Sequence, residues 1–163
     1  MKKVCLLILI CVTVIQVYAQ RQYSGVYYNH FGEEIELNPD STFLHTWRFD
    51  LSSSWTQGSW RVVDDTVYFR IVPVYDTVRQ ENRRDSLVLS LDLLPEVISP
   101  EHYSLHGLFS GGQNIRKIPE KLFYSKDRLL HINNKGKLQK KKVKGTWTLK
   151  KHVPWFKKRK PSH

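Results

Sequence analysis

The stretch Ile35-Glu36-Leu37-Asn38-Pro39-Asp40-Ser41-Thr42-Phe43-Leu44-His45-Thr46-Trp47-Arg48-Phe49 decides how this chain is read. In an extended strand, successive side chains point to opposite faces. Phe43, His45, Trp47 and Phe49 therefore share one face, and Thr42, Leu44, Thr46 and Arg48 the other. Upstream, Asn38-Pro39-Asp40-Ser41 is turn chemistry, since Pro presets φ and the Asn and Asp side chains bond nearby backbone. Strand, short turn and strand make a hairpin, and strands joined so tightly run antiparallel.

The same rhythm extends outward. Val67, Phe69 and Ile71 alternate with Tyr68, Arg70 and Val72; Leu87, Leu89 and Leu91 alternate with Ser86, Val88 and Ser90. Further strands are predicted at residues 23–28, 33–37, 59–63, 122–125, 128–132, 137–143 and 146–150. Asp64-Asp65 separates two strands by two residues, and Asn133-Asn134-Lys135-Gly136 suits a turn because Asn and Gly tolerate φ > 0. Ser99-Pro100-Glu101 reads as a helix start, so residues 99–109 form at most one short helix, or a strand. The predicted class is all-β: an antiparallel meander closed into a barrel. A two-sheet β-sandwich is the alternative, because alternation does not separate closed from open sheets.

The N-terminus addresses the chain. Met1-Lys2-Lys3 is positive, Val4 to Val17 is mostly apolar, and Val17-Tyr18-Ala19 places small residues where a signal peptidase reads. This is a secretory signal peptide over residues 1–19, with cleavage expected between Ala19 and Gln20. The apolar run falls short of the roughly twenty residues that span a bilayer. A lipoprotein signal does not fit either, since large Ile10 precedes Cys11. The expected product is a periplasmic or secreted bacterial protein with no transmembrane span after cleavage. Its domain covers residues 20–150, and residues 151–163, with two prolines and a run of Lys and Arg, are expected to form a mobile basic tail. Both cysteines, Cys5 and Cys11, leave with the signal, which excludes disulfides, thiolate catalysis and Cys-based zinc sites. Oligomeric state stays open.

Charge is segregated. Residues 20–127 carry eleven Lys/Arg against fifteen Asp/Glu, whereas residues 128–163 carry thirteen Lys/Arg and no acid. Lys140, Lys141, Lys142, Lys144, Lys150, Lys151, Lys157, Lys158, Arg159 and Lys160 are the candidate contacts to an anionic surface, interleaved with Trp147, Trp155 and Phe156. In an exported protein the expected partner is an anionic envelope component, lipid phosphate or lipopolysaccharide, rather than nucleic acid.

Gly25-Val26-Tyr27, Ile35 to Phe43, Gly58 to Val62 and Asp65 to Phe69 together resemble the front of small lipocalin-like barrel domains of exported bacterial proteins. The resemblance covers residues 25–72 and implies a barrel able to hold a cavity. Phe43, Trp47, Phe49, Trp60, Phe69 and Trp147 are the candidate core or cavity-lining residues.

Catalytic signatures are missing from the sequence. Ser110 lacks Gly-x-Ser-x-Gly spacing. Glu33-Glu34 and Asp64-Asp65 are adjacent pairs, which point apart on a strand. His102 and His106, beside Glu101, are an incomplete zinc set, and His45 reads as a core residue. No catalytic residue, metal ligand or cofactor is assigned. The expectation is a non-enzymatic binding module that holds a small apolar ligand in its barrel or docks on an anionic envelope surface. The rival readings are an interaction protein acting through its basic C-terminal end, and a hydrolase whose site is assembled from distant residues.

Overall fold

The computed structural model describes residues 20–160 apart from 82, 109, 110, 117, 146 and 147. Residues 1–19, Ala19 of the cleavage point, Ser110 and Trp147 lie outside the described residues. The described strands are β1 (Gly25–Tyr28), β2 (Glu33–Leu37), β3 (Thr42–Phe49), β4 (Ser52–Val63), β5 (Thr66–Ile71), β6 (Tyr75–Val78), β7 (Ser86–Leu89), β8 (Val97–Ile98), β9 (Lys121–Tyr124), β10 (Arg128–His131), β11 (Val143–Lys144), β12 (Lys151–His152) and β13 (Phe156–Lys158). Helix α1 (Pro100–Leu108) follows β8.

Eight strands close a barrel in the order β1-β2-β3-β4-β5-β9-β10-β13 and back to β1. Every neighbour is antiparallel and follows in chain order, so the barrel is a meander. Closure removes the sandwich alternative. Two excursions interrupt the meander: β6, β7, β8 and α1 between β5 and β9, and the small β11–β12 pair between β10 and β13.

The hairpins form where turn residues accept φ > 0. Asp64 and Asp65 sit at φ 47° and 56°, the twist that suits a two-residue link between right-twisted strands. Lys126 and Asp127 repeat this at 50° and 58° between β9 and β10. Between β2 and β3, Ser41 takes φ 70°, and the Asp40 carboxylate accepts from the Thr42 backbone N–H at 2.9 Å. Gly58 allows β4 and β5 to meet: a Cβ there would lie 2.0 Å from the Arg70 carbonyl oxygen.

Inward residues fill the barrel. Tyr27, Ile35, Leu37, Phe43, Trp60, Val67, Leu122, Leu129 and Phe156 form one buried cluster, joined by Ile118. An eight-stranded barrel is just wide enough for side chains to fill it. Two polar atoms among these rings are satisfied: the Trp60 indole donates to the Asn38 carbonyl at 3.1 Å, and the Tyr27 hydroxyl donates to the Tyr23 carbonyl at 2.7 Å. Burial raises the Tyr27 phenol well above its ordinary pKa, so it stays protonated.

Several expectations need correction. Residues 151–160 do not form a mobile tail: β12 pairs with β11, and β13 closes the barrel between β1 and β10. Pro154 and the surrounding lysines masked a strand whose only inward apolar side chain is Phe156, which is fully buried. The predicted strand at 23–28 starts two residues later, because residues 20–23 are helical and cap one end of the barrel. There Gln20 Nε2 donates to Ser41 Oγ at 2.7 Å, and the Tyr23 hydroxyl donates to Asp65 at 2.8 Å. Strand β4 extends back to Ser52, where serines pair with Trp47, Arg48 and Phe49 of β3. Of the predicted strand at 137–143, only Val143 enters a strand, β11, and residues 148–150 lie outside any strand; 146 and 147 fall outside the described residues. Within the ambiguous stretch 99–109, Pro100–Leu108 form the helix α1, capped by Ser99 Oγ accepting from the His102 N–H at 3.2 Å.

The first excursion is organised by Asp76, which is buried. It accepts from Ser90 Oγ at 2.7 Å and from the backbone N–H groups of Leu91 and Glu96 at 3.1 and 2.9 Å. Burial opposes its charge, but these hydrogen bonds outweigh burial and hold the carboxyl below its ordinary pKa. Gln113 ties the excursion to the barrel, with Oε1 accepting from the Val74 N–H at 2.7 Å and Nε2 donating to the Val72 carbonyl at 2.8 Å.

Candidate anionic-surface interface

Every described lysine from Lys135 to Lys151 lies in the excursion between β10 and β13, and nothing buries it. Lys140, Lys141, Lys142, Lys144, Lys150 and Lys151 are all exposed. The local chain explains this. Asn133 folds the chain back, its side-chain carbonyl accepting from the Lys135 and Lys137 N–H groups at 3.0 and 2.9 Å. The β11–β12 pair then returns the chain toward β13, with Val143 opposite His152 and Lys144 opposite Lys151. No acid occurs in the excursion, so these ammonium groups have no counter-charge within it.

The cations of β13 are placed differently from one another. Lys157 points outward, opposite Tyr28 on one side and Arg128 on the other. Lys158 turns back on the barrel: its ammonium donates to the Gln22 carbonyl at 2.9 Å and sits 5.7 Å from the centre of the Tyr27 ring. Arg159 pairs with the Glu34 carboxylate and lies over Tyr28. Lys160 is exposed. Lys158 and Arg159 thus serve closure of the barrel, whereas Lys157 and Lys160 join the exposed lysines.

The candidate core or cavity-lining residues divide as well. Phe43 and Trp60 belong to the buried cluster, and Phe69 packs edge-on against Phe43 with ring centres 4.9 Å apart. They form core. Trp47 and Phe49 are half-buried at the far end of β3 and stack at 6.3 Å. Three grooves, of about 690, 420 and 260 Å³, lie outside the barrel.

Sequence reading placed His45 in the core but not the polar group it joins, with Glu33 and His131, at the Trp47 end of the barrel. His45 is buried, with Nε2 3.8 Å from the Glu33 carboxylate, which also accepts from the Asn29 amide. Burial holds the His131 imidazole below its ordinary pKa, against the opposing pull of Glu33 and the Pro154 carbonyl. His131 lies opposite Leu122, and the register turns it inward. Period-two alternation carries this signal, but the partners come from β2, β3 and β10 and meet only once the barrel closes. Among the described residues, no group of three or more His, Cys, Asp or Glu is arranged to hold a metal ion. No helix among them is long and apolar enough to cross a membrane.

Comparisons with protein-family models, with curated proteins and with solved structures find no match.

Proposed function

We propose that this is an exported, non-enzymatic interaction module that docks on a phosphate-bearing envelope surface through its exposed cations. One observation carries the reading: Lys140, Lys141, Lys142, Lys144, Lys150 and Lys151 are exposed together on an acid-free excursion anchored at both ends to the barrel. Each Lys or Arg near an anionic bilayer contributes about 1 kcal/mol of attraction, so six such groups support stable yet salt-sensitive docking. The version in which the barrel carries a small apolar ligand has less support, because the rings that would line a cavity pack on one another.

The test is co-sedimentation of the purified protein with phosphatidylglycerol-containing vesicles over a salt series. Binding that falls with salt, and falls further in Lys140→Gln/Lys141→Gln/Lys142→Gln, is expected. Equal binding to neutral and anionic vesicles would refute the reading. Charge substitution is the right tool, since deleting residues 154–163 would remove the closing strand.

A further inference from the structure

The register of the barrel assembles a surface that no continuous stretch of sequence displays. Arg61 lies opposite Tyr68, and Tyr68 opposite Lys121, making one outward row across β4, β5 and β9. The next outward row runs through Val63, Thr66, Phe123 and Leu130, and reaches Trp155 beside β13. Beyond it lie Arg128 and Lys157, opposite each other on β10 and β13. An apolar row is thus bracketed by cations on both sides. The two cationic rows are four residues apart along the strands, roughly 13 Å at about 3.3 Å per residue.

Leu130, within the row, is buried, and the side chains around it reach solvent at least in part. Arg61, Lys121, Arg128 and Lys157 are exposed, Val63 is 42% exposed, and Phe123 and Trp155 are half-buried. Two cations lean on aromatic rings, Arg61 5.2 Å from the centre of Tyr68 and Arg128 5.9 Å from that of Trp155. The outward positions of β4, β5, β9, β10 and β13 carry no acid. Carboxylates border the wall at Glu120, at the rim turns, where Asp65 and Asp127 accept hydroxyls from Tyr23 and Tyr124, and at Glu34, which follows Tyr28 on the Lys157 row and pairs with Arg159. Two of these cations, Arg61 and Lys121, belong to the part of the chain whose composition is net acidic.

We propose that this wall seats on the headgroup layer of an anionic lipid bilayer. The flanking cations meet lipid phosphates, and the Val63–Phe123–Trp155 row settles among the headgroups, where amphipathic aromatic rings are favoured. Charge complementarity selects the partner. The proposal rests on the docking reading above and makes it specific: the wall, rather than the lysine excursion alone, is the contact face.

The test compares two charge variants of the purified protein on vesicles of phosphatidylcholine, with and without phosphatidylglycerol, using brominated lipids to quench tryptophan. Arg61→Gln/Lys121→Gln removes two exposed wall cations far in sequence from the excursion. It is expected to melt like the parent and to bind anionic vesicles about tenfold or more weakly. Trp155→Phe is expected to bind while losing part of the quenching. If Arg61→Gln/Lys121→Gln binds like the parent and only Lys140→Gln/Lys141→Gln/Lys142→Gln weakens binding, the wall is overturned and the docking reading stands. Unchanged quenching in Trp155→Phe also overturns the wall. If the parent prefers no anionic vesicle, the docking reading itself fails. If the parent ignores vesicles but binds soluble polyphosphate through Arg61 and Lys121, the bilayer is the wrong partner and the proposal falls.

Discussion

Phe156 lies directly opposite Leu129 across the β10–β13 pair, and both side chains are fully buried. The last strand of the chain is therefore a wall of its core. Replacing Phe156 with Ala is expected to cost about 3–5 kcal/mol, the usual penalty for emptying a buried aromatic site. Denaturant unfolding measures it, and a change below about 1 kcal/mol would mean that β13 is peripheral. Truncation before Pro154 is expected to abolish cooperative unfolding altogether.

Gly58 leaves no room for a side chain between β4 and β5. A Cβ added there meets the backbone of Arg70, which cannot swing aside as a flexible side chain would. Gly58→Ala should therefore cost at the upper end of the roughly 1–3 kcal/mol typical of overpacking. Hydrogen exchange should show lost protection first at Phe69 to Ile71. A neutral substitution would show that β4 and β5 separate more readily than their pairing implies.

His131 sets a pH dependence. Its folded pKa lies below the ordinary value of 6.5, with burial the main cause. The unfolded chain then binds the proton more readily, so stability falls as pH drops below about 6.5 toward the folded pKa. His131→Gln should flatten this segment of the stability curve. Melting temperatures between pH 7 and 5 test it, and an unchanged slope in the variant would assign the loss to other groups.

Asp76 acts in a separate, more acidic window. Its folded pKa is depressed, so its contribution is complete above the ordinary carboxylate pKa, near 3.9, and is lost as pH falls below it. Asp76→Ala leaves the Leu91 and Glu96 backbone N–H groups without their acceptor, while Ser90 Oγ keeps the Asp92 carbonyl at 2.8 Å, at a cost of about 1–3 kcal/mol. Because Asp76 holds the excursion rather than the barrel, the loss should appear as local exchange around β6–β8 before global unfolding. Simultaneous loss throughout the protein would show that excursion and barrel are one cooperative unit.

The sequence made the barrel's front half readable because β2, β3 and β5 each carry both signals, alternation and turn residues. Ser52 to Gln57 carries a single large apolar residue, Trp55, and no apolar alternation, yet pairing with β3 makes it strand. Strand β13 hid for a related reason: one buried ring among lysines is too little pattern to read, although closure demands it. The exposed lysines were readable as a cluster because they are contiguous in sequence. The cationic wall was not, since Arg61, Lys121, Arg128 and Lys157 become neighbours only through strand register.

The pairing of β1 with β13 also dictates an order of events. Tyr27 meets Lys158 across more than a hundred residues, the kind of non-local contact that slows folding. Until β13 docks, β1 and β10 remain open edges, each able to pair with a neighbouring chain. The barrel is thus most prone to self-associate in the interval before β13 is in place. Any factor that shields those two edges during that interval would raise its yield more than one that stabilises the finished barrel.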